Sequence, residues 1–351
     1  MKKRVFLPLL GALACVGVSA QTSVVAVGSA AVAPENVCYL LPKTEVVIEV
    51  EMAQTLRKAG PFCKYAERYL GVRQVVTDDG CEWHLAAVRL HGRVVPDSEK
   101  RFAVAVNKKT TAYNIQTSEK GVILAVNQVV DTPKKVRKTP APKSDCDTLA
   151  AFDMACLGEE ALVASSVPKM AEMAAKQIYR IRENRANLLS GENEQLPDGA
   201  ALAVMLQRLD EAEKELVALF VGRTMVCRQT TTLVLSPQTE QTDSVLCRIS
   251  RYAGLVAADD LSGEPIYFSL SADKQSPDFQ QNNDQSKSCG LFYNVPTTAT
   301  ITISDGLKTL AEQSLTMPQF GAVRCLPAAL FDGQATKVKF TRFGGIESIS
   351  K

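Results

Sequence analysis

Two amphipathic segments dominate the hydrophobic pattern of this chain between Ser165 and Gly222. Apolar residues recur at intervals of three and four from Pro168 to Ser190 and from Gly199 to Val221, which is the spacing of one buried helix face. Glycine follows each segment, and glycine often ends a helix because it adopts the left-handed conformation. The pattern predicts two helices, and their short connection predicts an antiparallel helical hairpin.

Strand-like alternation occurs on both sides of this hairpin, most clearly from Thr44 to Met52. Strands are predicted at 44–52, 81–90, 101–107 and 121–130 before the hairpin, and at 224–235, 244–251, 265–270, 290–293, 299–304, 323–326 and 337–343 after it. Many short strands separated by turn residues favour antiparallel sheets. The predicted fold class is therefore α+β, with two β-rich regions (antiparallel sandwich or barrel-like sheets) joined through a central antiparallel helical hairpin.

Abrupt changes in composition divide the chain. Three prolines and five basic residues crowd residues 131–147, and both features keep a chain extended, so this stretch is interpreted as a linker. The predicted organisation comprises a signal peptide at 1–20, a flexible N-terminus at 21–36, an N-terminal β-rich domain with one short helix at 37–130, a Pro/Lys linker at 131–147, a helical region with the hairpin at 148–222 and a C-terminal β-rich domain at 223–351.

The first twenty residues indicate export. A basic start, an apolar run from Val5 to Val18 and small residues before Gln21 are typical of a signal peptide cleaved after Ala20. An alternative is a lipoprotein anchored at Cys15. No later apolar run approaches the roughly 20 residues of a membrane-spanning helix. We therefore expect a periplasmic or outer-surface protein.

The charge balance argues against nucleic-acid partners. The chain has 40 basic and 38 acidic residues, and three of the basic ones lie in the predicted signal peptide, which leaves the mature chain with a net charge of −1. Nonspecific binding to a phosphate backbone requires a basic surface.

Nine cysteines remain after the predicted cleavage site, an odd number that cannot all pair within one chain. Their spacing contains no C-x-x-C and no zinc pattern, so most are interpreted as buried free thiols. Cys227 and Cys247 lie on what the pattern predicts to be two neighbouring strands and are the candidate disulfide.

No motif predicts catalysis, a cofactor or a metal site. His84 and His91 are seven residues apart, which on one regular strand places them on opposite faces. Ser166 and Lys169 match S-x-x-K, but S-D-N and K-T-G are absent, so Ser166 is interpreted as a helix cap. The sequence therefore assigns no catalytic, cofactor-binding or metal-binding residue.

One charged residue interrupts the apolar stripe of the first helix. Arg185 follows Asn184 between Ile181 and Leu188, and a guanidinium near a buried seam needs a partner. Arg185 is therefore predicted to be a buried ion pair or a ligand position.

Several short motifs occur along the chain, namely Leu41-Pro42-Lys43-Thr44, Gly60-Pro61 leading to Tyr65-Ala66 and Tyr69-Leu70-Gly71, Ile181-Arg182-Glu183 with Arg185, and Pro318-Gln319-Phe320-Gly321. These motifs resemble those of a secreted bacterial family catalogued only as a domain of unknown function. The resemblance implies an exported envelope or surface protein and carries over no catalytic residue. Cys63 stands where relatives are expected to have an aromatic residue.

These observations predict a non-enzymatic envelope or surface protein with a binding or structural role, whose partner is an envelope protein or polymer. The alternative is a carboxylate-based extracytoplasmic hydrolase. Such an enzyme needs a cleft with two carboxyl groups about 5 to 9.5 Å apart.

Overall fold

The computed structural model describes residues 24–26, 36–105, 114–131, 149, 151–164, 166–190, 199–273, 289–331 and 336–350. Its strands are β1 (Val24–Ala26), β2 (Asn36–Lys58), β3 (Gly80–Ala105), β4 (Ile115–Thr117), β5 (Ile123–Val126), β6 (Arg223–Leu235), β7 (Gln241–Ser250), β8 (Gly254–Val256), β9 (Glu264–Ala272), β10 (Cys289–Ser304), β11 (Thr309–Pro327), β12 (Lys337–Phe340) and β13 (Ile346–Ser350). Its helices are α1 (Ala66–Leu70), α2 (Glu159–Leu162), α3 (Val167–Ser190) and α4 (Gly199–Val221).

The strands form three antiparallel sheets. The first sheet has the order β1-β3-β2-β6, the second β11-β10-β9-β7-β8 and the third β13-β12-β5-β4. The predicted β-rich α+β class with antiparallel sheets and a pair of helices is confirmed. The strands are longer than the pattern indicated, because β2 continues through Pro42 and β3 through Gly92 and Pro96.

Strands from both sides of the helices share sheets. β6 pairs with β2 in the first sheet, and β12 pairs with β5 in the third. The predicted domain boundaries stay a prediction. The signal peptide with Cys15 and Ala20, and residues 132–147 of the predicted linker, lie outside the described residues.

Three apolar clusters hold these elements together. The inter-sheet core joins β2 and β3 of the first sheet to the second sheet and includes Val46, Ile48, Cys247, Phe268 and Ile301. Another cluster joins the third sheet to the far ends of β2, β3, β10 and β11, and a third one buries the helices. Burying each large side chain contributes roughly 1.5 to 3 kcal/mol before the cost of ordering the chain.

The two long helices run in opposite directions, since Arg182 of α3 pairs with Glu213 of α4 while Arg185 pairs with the earlier Asp210. Only the first two thirds of α3 and the last turns of α4 contribute buried residues. The other ends expose Leu189, Val204 and Met205. Among the described helices, none is both long and apolar enough to cross a bilayer.

Candidate functional site

A cleft of about 710 Å³ lies where the first and second sheets meet. One wall is the part of β3 from Trp83 to Val88. The opposite wall consists of three segments that are distant in sequence from this part of β3, namely 249–252, 261–266 and the turn that joins β10 to β11. The volume lies within the range of about 300 to 1,000 Å³ that is usual for ligand pockets.

Trp83 is fixed at one end of the cleft by its backbone and by its ring. Its N–H donates a 2.7 Å hydrogen bond to the carbonyl oxygen of Arg251, which follows β7. Gly254 lies beneath the indole with φ +75°, and a Cβ on this glycine would stand 3.0 Å from Trp83 Cδ2. Glycine at this position therefore provides both the left-handed backbone and the space for the ring.

The cleft has an apolar floor and a mixed rim. Leu85 and Val88 of β3 line it and also pack against the inter-sheet core. Tyr252 and Leu261 stand at its edge with 75% and 81% of their surface exposed. Large apolar side chains that line a cleft and remain in contact with water are typical of binding surfaces.

Charged groups of both signs border this floor. Arg251 pairs with Glu82 at 2.8 Å, and Glu82 also pairs with Arg57 at 2.6 Å, so this corner of the cleft is a network of three charges. Glu264, Asp305, Lys308 and His84 line the cleft as well. The cleft therefore offers hydrogen-bonding groups of both kinds around an apolar centre.

Asp305 is held in its charged form. The backbone N–H groups of Lys308 and Leu307 each donate a 2.9 Å hydrogen bond to its Oδ1, and these bonds lower the pKa of the carboxyl. A lowered pKa is unfavourable for the proton donor of a glycosidase, whose pKa is raised.

The wall formed by β3 is a sheet edge. In the first sheet β3 pairs with β2 on one side, and β1 pairs on the other side only with Phe102, Ala103 and Val104. Among the described residues, no strand pairs with this side of β3 where it borders the cleft. The strand also carries a bulge there, because the register shift between Glu51 and Met52 leaves Ala86 without a partner on β2.

The structure does not bring Cys227 and Cys247 together as a disulfide. Cys247 is a free thiol, 3% exposed in the inter-sheet core, whereas Cys227 carries a disulfide bond. The strands that hold them, β6 and β7, belong to different sheets and do not pair, although they are successive in the chain. A disulfide does join Cys289 of β10 to Cys325 of β11.

Arg185 lies between two carboxylates of α4. Its Nη1 is 2.6 Å from Asp210 Oδ1 and 2.8 Å from Glu213 Oε2, and the hydrogen bond to Asp210 raises the pKa of the guanidinium. The side chain is 33% exposed, so it is half-buried rather than buried. These contacts explain Arg185 as an ion-pair bridge between α3 and α4. Nearby, Asn184 lines a groove of about 530 Å³ at the outer end of the helix pair.

The two histidines share a face of the first sheet, so the prediction of opposite faces was wrong. His84 lies opposite Ala53 and His91 opposite Val47, and those partners are an even number of residues apart on β2. The bulge at Ala86 shifts the alternation by one residue. Six residues of strand still separate the histidines by about 20 Å. Across the described part of the chain, no three His, Cys, Asp or Glu side chains form a metal-binding group.

Ser166 and Lys169 show no catalytic arrangement. The carbonyl oxygen of Ser166 accepts the N–H of Met170 at the start of α3, and the ammonium of Lys169 pairs with Glu172 at 3.0 Å. Lys169 and Lys176 together lower the pKa of Glu172 to about 2. This cluster is an exposed surface pairing.

Sequence reasoning missed the residues that line the cleft. Trp83 is far from Tyr252 and Leu261 in the chain, and no local pattern connects it to them. The one signal was that Trp83 is the only tryptophan of the chain.

The fold and the cleft define a β-rich protein in which two antiparallel sheets meet at an open groove with an apolar floor and a polar, charged rim. The chain belongs to the family described as domain of unknown function (DUF4831), whose model matches residues 35–347. No curated protein and no solved structure matches the chain. The resemblance to a family of unknown function is thereby confirmed, and the match extends from the start of β2 into β13.

Proposed function

We propose that this protein is an exported, non-enzymatic binding protein of the bacterial cell envelope, and that its ligand occupies the cleft between β3 and the second sheet. The single observation that carries the proposal is the exposure of Tyr252 and Leu261 at the rim of a 710 Å³ cleft with an apolar floor. The ligand is an envelope protein or polymer.

Two features support export. The N-terminal pattern is that of a signal peptide, and the disulfide between Cys289 and Cys325 is of a kind that persists in oxidising compartments. Mass analysis of the mature chain tests this point. A chain that begins at Gln21 supports cleavage after Ala20, a lipid on Cys15 supports the anchored form, and an intact N-terminus in the cytoplasm contradicts export.

The helices have a supporting role in this proposal. α3 and α4 form a hairpin that acts as a spacer or docking element, and the two β-regions pack as a sandwich on which the cleft opens. The outer ends of the helices expose Leu189. A binding surface at these ends is therefore the main alternative to the cleft as the ligand site.

A carboxylate-based hydrolase is the second candidate, because Glu264 and Asp305 line the same cleft. The lowered pKa of Asp305 is unfavourable for the proton-donor role in such an enzyme. If the protein only binds its ligand, Glu264→Gln should retain that binding. A hydrolytic activity of the wild type that Glu264→Gln abolishes, with binding unchanged, would favour the enzyme.

Site-specific photo-cross-linking in cells tests the binding site. A photoreactive phenylalanine replaces Tyr252 at the cleft, Tyr179 on α3 or Leu189 at the helix tip, all of which are exposed. We expect one discrete adduct at Tyr252 and none at the other two positions. Adducts at Leu189 without any at Tyr252 would move the site to the helices and contradict the proposal.

A further inference from the structure

We infer that the cleft takes an extended peptide, which adds as a strand to the edge of β3 and places alternate apolar side chains on the floor. This inference rests on the proposed function and names the class of ligand for the same site. An unpaired strand edge beside a groove is the arrangement by which several binding domains capture peptides.

The backbone geometry indicates which groups would bind. Trp83 directs its N–H away from β2 and towards Arg251, and groups two residues apart on a strand point to the same side. Leu85 therefore presents its N–H and C=O to the cleft. Beyond the bulge at Ala86, the alternation of backbone direction shifts by one residue. Val88 is therefore the next residue to present its N–H and C=O away from β2, followed by Leu90.

The same edge already accepts strands within the chain. At its far end β1 pairs with Phe102 to Val104, and at the cleft the carbonyl oxygen of Arg251 takes the place of a neighbouring strand beside Trp83. Between these points the described residues place no strand on the edge. The stretch from Trp83 to Val88 spans about 17 to 20 Å at 3.3 Å per residue, which suits a short strand of five or six residues.

The side chains of the cleft indicate the composition of the peptide. Leu85, Val88 and Ile266 offer an apolar floor, while Arg251, Lys308, Glu264 and Asp305 contribute charges of both signs. Neither a strongly acidic nor a strongly basic peptide is favoured by this balance. A peptide with alternating apolar residues places one row on the floor and the other in solvent.

Selection from a phage-displayed library of short random peptides, with the full mature chain as the target, provides the probe. Synthetic peptides from this selection are then N-methylated one residue at a time. Because only alternate amides of an added strand bond to the edge, we expect methylation at every second position to weaken binding about tenfold or more and methylation between them to have little effect. Leu261→Asp should weaken the same peptides, and Leu189→Asp should not.

Several results would overturn the inference. Failure to select any peptide, equal effects of methylation at neighbouring positions, or binding unaffected by Leu261→Asp each contradict strand addition. If the chain dimerises and Leu261→Asp abolishes the dimer, the occupant of the cleft is a second copy of the chain instead of a peptide. If a polysaccharide cross-links at Tyr252 while no peptide binds, the inference fails and the proposed function stands; if nothing cross-links there, the proposed function itself fails.

Discussion

The backbone N–H of Trp83 lies 2.7 Å from the carbonyl oxygen of Arg251, and this hydrogen bond joins the edge of the first sheet to the turn between β7 and β8. The cleft begins at this junction. The indole is kept in place by Gly254 below it, so the shape of the cleft depends on a glycine that does not itself line the cleft.

Gly254→Ala should therefore destabilise the protein and change the environment of Trp83. The left-handed backbone costs a non-glycine residue about 1 to 2 kcal/mol, and the new Cβ also displaces the indole. Gly71→Ala is the matched control, since Gly71 has φ +70° and no atom within 4 Å of a Cβ. We expect Gly254→Ala to lower the free energy of unfolding by more than Gly71→Ala and to shift the tryptophan emission. Equal losses with unchanged emission would contradict the packing described here.

Arg185 should stabilise the helix pair more than an ordinary surface arginine. It bridges Asp210 and Glu213, and the carboxylate of Glu213 is only 13% exposed. Arg208 pairs with Glu211 on the exposed surface of α4 and provides the control. Arg185→Ala should lower Tm at least about twofold more than Arg208→Ala, because the mostly buried carboxylate of Glu213 loses one of its partners. Equal changes in Tm would show that the bridge is an ordinary surface pair.

The Cys289–Cys325 disulfide should contribute substantially to stability. It closes a loop over a sequence separation of 36 residues, and bridges of this kind contribute about 2 to 4 kcal/mol. The double variant Cys289→Ala with Cys325→Ala should lower the free energy of unfolding by that amount, whereas Cys63→Ala, which removes a half-buried free thiol, should have a smaller effect. Peptide mapping without reduction should recover the bridge. Free thiols at both positions would contradict it.

Cys247 should make the fold sensitive to alkali. Burial raises the pKa of its thiol from 9.0 to about 11. Since the folded state holds the proton more tightly, the stabilisation is complete below pH 9, decreases as the unfolded state ionises and is lost by about pH 11, for a total of roughly 2 to 3 kcal/mol. The difference in unfolding free energy between the wild type and Cys247→Ala should therefore change over this range. A difference that is independent of pH would contradict a protonated, buried thiol.

The helices were the part of the fold that the sequence predicted best. The bounds of α4, Gly199–Val221, agree with the apolar repeat and with the flanking glycine. The ends of the long strands were missed, because proline and glycine at positions 42, 92 and 96 look like breaks in a local pattern. Pro42 and Pro96 lie opposite each other where neither β6 nor β1 extends, and a residue without an N–H is tolerated where its backbone does not face a neighbour.

The cleft could not be predicted for a different reason. β2 pairs with β6 over more than 150 residues of intervening chain, and Trp83 meets Arg251 over a similar separation. Hydrophobic alternation indicates which face of a strand is buried, but it carries no information about which distant strand becomes the neighbour. The pairing of Cys227 with Cys247 was proposed for the same reason, from strands that are successive in the chain but lie in different sheets.

Tryptophan fluorescence measures the central claim most directly, because Trp83 is the only tryptophan and stands at the end of the cleft. The mature chain is titrated with the ligand recovered through the Tyr252 cross-link, and calorimetry provides an independent Kd. We expect a saturable change in emission with the same Kd, weakened by Leu261→Asp and unchanged by Leu189→Asp. The cleft would be contradicted as the binding site if the ligand bound by calorimetry without altering the emission of Trp83 and if Leu189→Asp abolished this binding.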